Sequence, residues 1–142
     1  MSDLVGRVFP DGSYTVTPAE NARLCGLVDA PPLADGCAHP IYAHLATHVG
    51  KGVTFTEYAA IVGAPLDAGY LFAGGTLEWF EPILVGREYT VRGGITGVEH
   101  REGRRTGRFD VVTTTIDLID ATTGSTVVRS VEGTIVPRRE TT

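Results

Sequence analysis

The second half of the chain constrains the fold most, because its apolar residues follow the period of β-strands. Polar connections that contain glycine, at 101–104 and 121–125, are typical of hairpin turns between strands. The pattern therefore predicts an antiparallel meander. Its four predicted strands, rich in valine, threonine and isoleucine, are Tyr70–Phe80, Glu88–Glu99, Arg108–Asp120 and Thr126–Val136. Gly93–Gly94 predicts a β-bulge, since the alternation slips there.

Two capping boxes mark helices before this meander. The first, at 17–20, has proline at the first helical position and predicts a helix that ends near Val28. The second, at 54–57, predicts a helix through Val62 that closes at Gly63. The residues predicted to face inward are Leu24, Leu27 and Val28 in the first helix, and Phe55, Tyr58, Ala59 and Val62 in the second.

Between these helices, apolar residues recur at a helical spacing. Ile41, Leu45 and Val49 lie four residues apart, which predicts a short helix over 39–48. The order of elements, helices first and then a meander, is typical of the α+β class. With 142 residues, 42% of them hydrophobic, the chain is predicted to form one domain, 1–142, with its own core. Cys25 and Cys37 are predicted to be reduced thiols.

Charge and hydropathy disfavour two classes of partner. A net charge of −5 argues against nonspecific nucleic-acid binding. No apolar run approaches the roughly 20 residues that span a bilayer. The N-terminus carries no apolar signal segment, so we predict a cytoplasmic protein with neither a nucleic-acid nor a membrane partner.

Most reactive side chains lie in one segment of fifteen residues, Cys37 to Lys51. Lys51 is the only lysine of the chain, and the segment also contains three of the four histidines. These groups titrate near neutral pH or can be tuned to do so, which suits proton transfer. The segment is therefore the first candidate for an active site. Its candidate residues are Cys37, His39, Tyr42, His44, His48 and Lys51.

A further motif carries a resemblance to a known family. The run Leu-Glu-Trp-Phe-Glu-Pro-Ile-Leu-Val-Gly-Arg-Glu-Tyr, at 77–89, resembles the strand–turn–strand element of hot-dog proteins. More narrowly, it is similar to the MaoC-like dehydratases and (R)-specific enoyl-CoA hydratases, including the fatty-acid-synthase-like dehydratase domains. The resemblance implies a single hot-dog fold, in which a curved antiparallel sheet wraps a long central helix. We expect that helix to be the one from Thr54 to Val62.

The resemblance also implies where catalysis would occur. The family carries a Gly-Asp-x-Asn-Pro-Ile/Leu-His segment whose Asp and His act on water. Here the matching segment is Gly36 to Tyr42, which puts Cys37 and Tyr42 at the two catalytic positions and His39 at the asparagine position. The standard pair is therefore replaced. Proton transfer is predicted to fall to His39 or Tyr42, with Cys37 and His44 as further candidates.

The same comparison implies a substrate-binding group. In the family, a backbone amide at the start of the central helix polarises the thioester carbonyl, and Gly52 occupies that place. The alternative is that Gly52 only separates two helices. His48, Lys51 and Trp79 are the other predicted substrate-binding residues. Lys51 and the arginines at 101–108 could bind carrier phosphates. No metal or cofactor is predicted.

Three functions stay open at this point. The first is a hydratase or dehydratase of an acyl thioester, either 3-hydroxyacyl or enoyl, bound to CoA or a carrier protein. The second is a non-catalytic hot-dog subunit that shapes the acyl tunnel of a partner with the intact pair. The third is a secondary-metabolism enzyme that uses the tunnel for another elimination, isomerisation or cyclisation. A homodimer, or a heterodimer with a related hot-dog subunit, is expected because open sheet edges favour pairing.

Overall fold

A computed structural model describes residues 2–64, 71–105 and 107–138. After a short 3₁₀ turn at Ser2–Leu4, its helices are α1 (Pro18–Leu27), α2 (Tyr42–Val49) and α3 (Phe55–Val62). Its strands are β1 (Gly12–Thr15), β2 (Leu71–Trp79), β3 (Glu88–Gly103), β4 (Gly107–Asp120) and β5 (Thr126–Pro137). The four strands predicted from the pattern are all present; Tyr70, where the first was predicted to begin, lies outside the described residues. None of the described helices is long and apolar enough to cross a membrane.

One antiparallel sheet organises the molecule, in the order β1-β3-β4-β5-β2. Alternation is strict on β4, where every second residue from Asp110 to Asp120 is buried. On β5 the even-numbered residues from Val128 to Val136 are buried in the same way. The period of two thus gives the sheet one buried face and one exposed face, and the predicted α+β class is confirmed.

Helix α2 lies against the centre of the buried face, in contact with β1, β2, β4 and β5. Its inward residues are Tyr42, Ala43, Ala46 and Thr47, each at most 1% exposed. The alanines are small enough to let the helix approach the strands closely, and Thr47 donates its hydroxyl to the Ala43 carbonyl at 2.7 Å. The short helix predicted over 39–48 is present as α2; Ile41 and Val49, whose spacing predicted it, are 42% and 69% exposed.

The helix predicted to lie at the centre of the sheet, α3, packs elsewhere on the buried face. Its Tyr58 and Val62 join a separate apolar cluster with Ile95, Val112 and Val136. The identity of the wrapped helix is therefore corrected to α2. The predicted capping box of α3 is confirmed: the Glu57 amide donates to Thr54 Oγ1 at 3.1 Å and the Thr54 amide to Glu57 Oε1 at 3.0 Å. Phe55, predicted to be buried, is 62% exposed.

Of the residues predicted to face inward on α1, Leu24 packs against the core but Leu27 and Val28 do not. Leu27 and Val28 are 74% and 51% exposed, whereas Asn21 and Cys25 are buried. The polar Asn21 can be buried because its side-chain oxygen accepts the His39 amide at 3.0 Å. This bond fixes the start of the α2 segment against α1.

Strand β1, which was not predicted, explains two glycines near the candidate segment. It pairs with β3, and the chain just before it runs against the backbone at 50–52. A Cβ on Gly12 would lie 1.8 Å from the Gly50 carbonyl oxygen, and a Cβ on Gly52 would lie 1.8 Å from that of Pro10. Only glycine allows two backbones to approach this closely.

We expect Gly52→Ala to lower the free energy of unfolding by about 3 kcal/mol, because the new methyl group meets rigid backbone on both sides. The measurement is urea unfolding followed by circular dichroism. Gly26→Ala is the matched control: nothing lies within 4 Å of its Cβ, and α1 continues past it. That change should be neutral or stabilise by about 0.5–1 kcal/mol. Equal stability of the two variants would contradict the close contact.

The sheet irregularity on β3 also differs from the prediction. The register shifts between Ile95 and Gly97, not at Gly93–Gly94. Gly94 is needed for another reason, since a Cβ there would lie 2.5 Å from the Arg7 carbonyl oxygen. The N-terminal segment thus crosses β3 at Gly94, where no side chain blocks its approach.

Candidate active site

A cavity of about 450 Å³ opens between the second half of α2, the start of α3 and strands β2 and β5. Its wall combines aromatic rings with four ionisable side chains, which come from distant parts of the sequence. The lining residues are His44, His48, Lys51, Phe55, Tyr58, Phe72, Glu132 and Thr134.

Glu132 is the residue that brings a carboxylate to this cavity. It lies on β5 in the inward register, with Ser130 before it and Thr134 after it, and is 9% exposed. Its cross-strand neighbour on β4 is Thr114. A buried carboxylate needs a compensating charge or several hydrogen bonds. The compensating charge comes from α2.

His48 supplies this charge, with Nε2 at 2.5 Å from Glu132 Oε2. Its other ring nitrogen, Nδ1, lies 2.9 Å from the His44 carbonyl oxygen, which can only accept, so Nδ1 carries a hydrogen. The hydrogen bond to Glu132 raises the pKa of His48. Burial alone would raise the pKa of Glu132, but the hydrogen bond and charge of His48 bring it below its usual value. The dyad therefore holds one transferable proton, between Nε2 and Oε2.

His44 lies one turn earlier on α2, and its ring stacks on that of His48 with centroids 4.0 Å apart. Burial, and then the positive charge of His48, lower the pKa of His44. The pKa of His44 therefore lies below the ordinary value of 6.5, and the pKa of His48 lies above it. A neutral imidazole beside a protonated one is the arrangement that an acid–base pair requires.

Lys51 contributes a cation at the same cavity. Its Nζ lies 5.2 Å from the centroid of the Phe55 ring and 5.5 Å from that of Tyr58. Burial lowers the pKa of Lys51. The ammonium group thus sits against aromatic faces in an environment poorer in water than the surface.

Three of the predicted catalytic residues do not line this cavity. Tyr42 is 1% exposed and belongs to the apolar core, where burial raises its pKa. His39 accepts the Ile41 amide on Nδ1 at 3.1 Å, and Cys37 forms a single β-bridge with Leu84. The candidate segment is therefore divided, because α2 directs Tyr42 into the core and both His44 and His48 into the cavity. A catalytic role of Cys37, His39 or Tyr42 stays a prediction.

The two remaining predicted residues also lie outside the cavity wall. Gly52 lies three residues before α3 begins, at the side of an adjoining surface recess that also contacts His48 and Lys51. Trp79 ends β2 opposite Val128 and is 48% exposed. Their roles in substrate binding stay predictions.

A second, larger cavity of about 740 Å³ lies at the other end of α3. Its main polar group is Asp110, which contacts His100 Nδ1 at 2.5 Å and accepts Arg138 Nε at 2.9 Å. Arg101 and Arg108 also line it, and Arg101 is paired with Glu99 at 3.0 Å. Among the described residues, no set of three histidine, cysteine or acidic side chains is arranged to hold a metal ion.

Comparison with known proteins was made by family, by sequence and by structure. No family model matches the chain, and no curated protein matches it in sequence. Solved structures do. A MaoC-like dehydratase from Rhodospirillum rubrum is 25% identical, with a TM-score of 0.60 over 99% of this chain and 98% of that one. The chain has the hot-dog fold. The expected resemblance to MaoC-like dehydratases is confirmed.

Other hot-dog structures resemble it at lower identity. The ChsH1–ChsH2 complex from Mycobacterium tuberculosis has a TM-score of 0.72 at 8% identity, over 95% of this chain and 86% of the other. A 1,4-dihydroxy-2-naphthoyl-CoA thioesterase from Synechocystis has a TM-score of 0.53 at 10% identity, covering 91% and 80%. The neighbours of this hot-dog chain thus include both dehydratases and thioesterases.

Glu132 is the site residue that the sequence analysis missed. Its signal was present, since it is a carboxylate at an inward position of an alternating strand, between Ser130 and Thr134. Its partner was not readable, because His48 lies 84 positions earlier in the chain. The importance of His44 and His48 was predicted, but not their pairing with each other.

Proposed function

We propose that this hot-dog chain adds water to, or removes it from, an acyl thioester, that His44 and His48 transfer the protons, and that Glu132 positions His48. The observation that carries the proposal is the pair of stacked imidazoles, 4.0 Å apart, whose pKa values move in opposite directions. Their cavity has apolar and aromatic walls suited to an acyl group. Structural similarity to MaoC-like dehydratases supports the reaction class.

In the dehydration direction, neutral His44 removes a proton from C2 of a 3-hydroxyacyl thioester. His48 gives its Nε2 proton to the departing C3 oxygen, which leaves as water while the C2–C3 double bond forms. The hydroxyl group takes the place of Glu132 Oε2 as the acceptor of that proton. Glu132 acts as a positioning residue, because it orients the ring and keeps it protonated until transfer. Hydration follows the same steps in the reverse order.

The direct test is turnover by the purified protein alone. Crotonyl-CoA and a longer enoyl-CoA are the substrates, and the products are separated by liquid chromatography with mass detection. A 3-hydroxyacyl-CoA product is the expected result. Release of free CoA without hydration would instead show a thioesterase and overturn the proposed reaction. If neither product forms with either chain length, the chain is not an enoyl-thioester hydratase by itself.

A second function, that of a tunnel-shaping subunit, is favoured by the replacement of the family pair by Cys37 and Tyr42. A structural neighbour from Mycobacterium tuberculosis is itself a complex of two proteins. On this reading the chain is inactive alone, and a co-expressed hot-dog protein with the intact pair restores hydration. The separating measurement is His44→Gln in that complex: activity that survives the change assigns the chemistry to the partner.

The second cavity supports binding of the carrier part of such a substrate. Arg101, Arg108 and Arg138 line it, and only Asp110 and Asp3 provide negative charge among its described lining residues. Arginine is well suited to bidentate phosphate contacts. CoA or a carrier-protein arm would supply those phosphates.

A further inference from the structure

Lys51 is the feature that the proposed proton transfers leave unused. It is half-buried and lines the cavity of His44 and His48, but the chemistry proposed there needs no cation besides His48. Glu132, the carboxylate of that cavity, is paired with His48 at 2.5 Å, and its charge also attracts Lys51, which raises the Lys51 pKa against the larger, opposite effect of burial. In the described part of the chain, Lys51 forms no ion pair. The cavity therefore carries an excess of positive charge.

Aromatic rings hold this cation without neutralising it. Phe55 and Tyr58 lie 5.2 and 5.5 Å from Nζ, distances at which ring faces attract an ammonium group. Such contacts fix the direction of the side chain but supply no acceptor for its N–H groups. The ammonium remains able to donate to an oxygen that enters the cavity, and an anionic oxygen would form the stronger, charge-assisted bond.

The walls near Lys51 indicate what would carry that oxygen. Phe55 and Phe72, 62% and 65% exposed, present large apolar surfaces beside the cation. A flat apolar group can pack on these rings while its acidic oxygen reaches Nζ. An aliphatic chain without an acidic group would leave the lysine facing apolar atoms, at a desolvation cost that nothing offsets.

We infer that the cavity is built for an acyl group that carries an acidic oxygen, a carboxylate or a phenolate, on a flat apolar body, with Lys51 as its anchor. The inference rests on the proposed function for the thioester end of the substrate. The anchor itself can be tested by binding alone, without turnover. A failure of the proposed Lys51 anchor is therefore distinguishable from a failure of the proposed hydration reaction.

The test compares matched ligands that differ in charge. Cinnamate and cinnamamide have nearly the same shape, as do 4-nitrophenolate and 4-nitroanisole, and binding is measured by isothermal titration calorimetry above the pKa of each acid. We expect wild-type protein to bind at least one anion about tenfold more tightly than its neutral match. The carboxylate pair and the phenolate pair show which oxygen is preferred.

Two variants assign the preference to the anchor. Lys51→Met keeps an unbranched apolar stem and removes the charge, so anion and neutral match should bind equally. Arg23→Met removes a positive charge from the exposed face of α1 and should keep the wild-type preference. Thermal melts confirm that both variants are folded. Equal binding of both matches by wild-type protein, a preference that survives in Lys51→Met, or no binding at millimolar ligand would each overturn the inference.

A preference for the anion together with no hydration of any enoyl-CoA would leave the anchor established and refute the proposed reaction. Hydration of crotonyl-CoA without any preference for anions would support the proposed reaction and refute the anchor. The two results therefore separate the chemistry at His44 and His48 from recognition at Lys51.

Discussion

His44→Gln is expected to lower kcat/KM for enoyl-CoA hydration by about 10²–10⁴-fold, the contribution typical of a positioned proton-transfer group. Glutamine is similar in size and polarity but cannot exchange a proton near neutral pH. His48→Gln should cause a loss of the same order, because Nε2 is the only ring nitrogen of the dyad that can exchange a proton with the water or the C3 oxygen. The measurement is initial rate against substrate concentration, with circular dichroism to confirm folding.

The remaining histidines make this result specific. His100 lies at the far cavity proposed for the carrier, away from the reacting atoms, so His100→Gln can change KM but should leave kcat at the wild-type value. His39→Gln separates the two possible sites: if it abolishes activity while His44→Gln does not, the catalytic centre is the Cys37–Tyr42 segment. That outcome would refute the assignment made from the cavity.

The pH dependence of kcat/KM provides a second readout of the same pair. In the dehydration direction, with a 3-hydroxyacyl-CoA as the substrate, a base whose pKa lies below 6.5 and an acid whose pKa lies above it give a bell whose plateau includes pH 6.5. In Glu132→Gln the hydrogen bond that raises the pKa of His48 is weakened, so the alkaline limb of the bell should move to lower pH. An unchanged alkaline limb would show that His48 is not the acid.

Glu132→Gln should also lower the free energy of unfolding by about 3 kcal/mol near pH 5.5. The change leaves His48 without its carboxylate, and the two side chains are only 18% and 11% exposed, so water offsets little of the loss. The measurement is urea unfolding of both proteins at several pH values. Glu99→Gln, which alters an exposed carboxylate paired with Arg101, is the control and should cause no resolved change.

The sign of the pH dependence follows from the two pKa shifts. His48 has a raised pKa, so its contribution is complete below its ordinary value of 6.5 and is lost as the pH rises through the folded-state pKa. Glu132 has a lowered pKa, so its contribution is complete above 4.5 and is lost as the pH falls through the folded-state pKa. The difference between wild type and variant should therefore be largest between these values. A difference that is constant from acid to alkaline pH would contradict the ion pair.

Local patterns predicted the elements well and their packing less well. The capping box at Thr54 and the alternation of β4 depend on neighbours in sequence, and both are found in the structure. The inward face of α2 could not be read from the apolar spacing, because small residues, Ala43 and Ala46, form part of it and let the helix approach the sheet closely. Larger apolar residues such as Val49 gave the stronger periodic signal but lie outside.

The candidate site shows the same contrast between local patterns, which the sequence reveals, and long-range packing, which it does not. His44 and His48 were predicted to be functional because they lie in the segment that contains most of the reactive side chains of the chain. Glu132 comes to them only through the pairing of β5 with β4 and the placement of α2 on the sheet, which are long-range events. Gly52 was predicted either as an amide donor or as a separator of two helices; the sequence did not show that its lack of a side chain is required by the Pro10 carbonyl. Contacts between distant segments were thus the part that sequence patterns did not provide.

Strand β2 ends the sheet, with β5 as its one described neighbour, and Phe72 on it also forms part of the cavity wall. A subunit that added a strand along this edge would change the surroundings of the same phenylalanine that a ligand touches. The two equilibria would then be linked: ligand would alter the dissociation constant of the assembly by the same factor by which assembly alters ligand affinity. Affinities measured at different protein concentrations would differ for that reason alone.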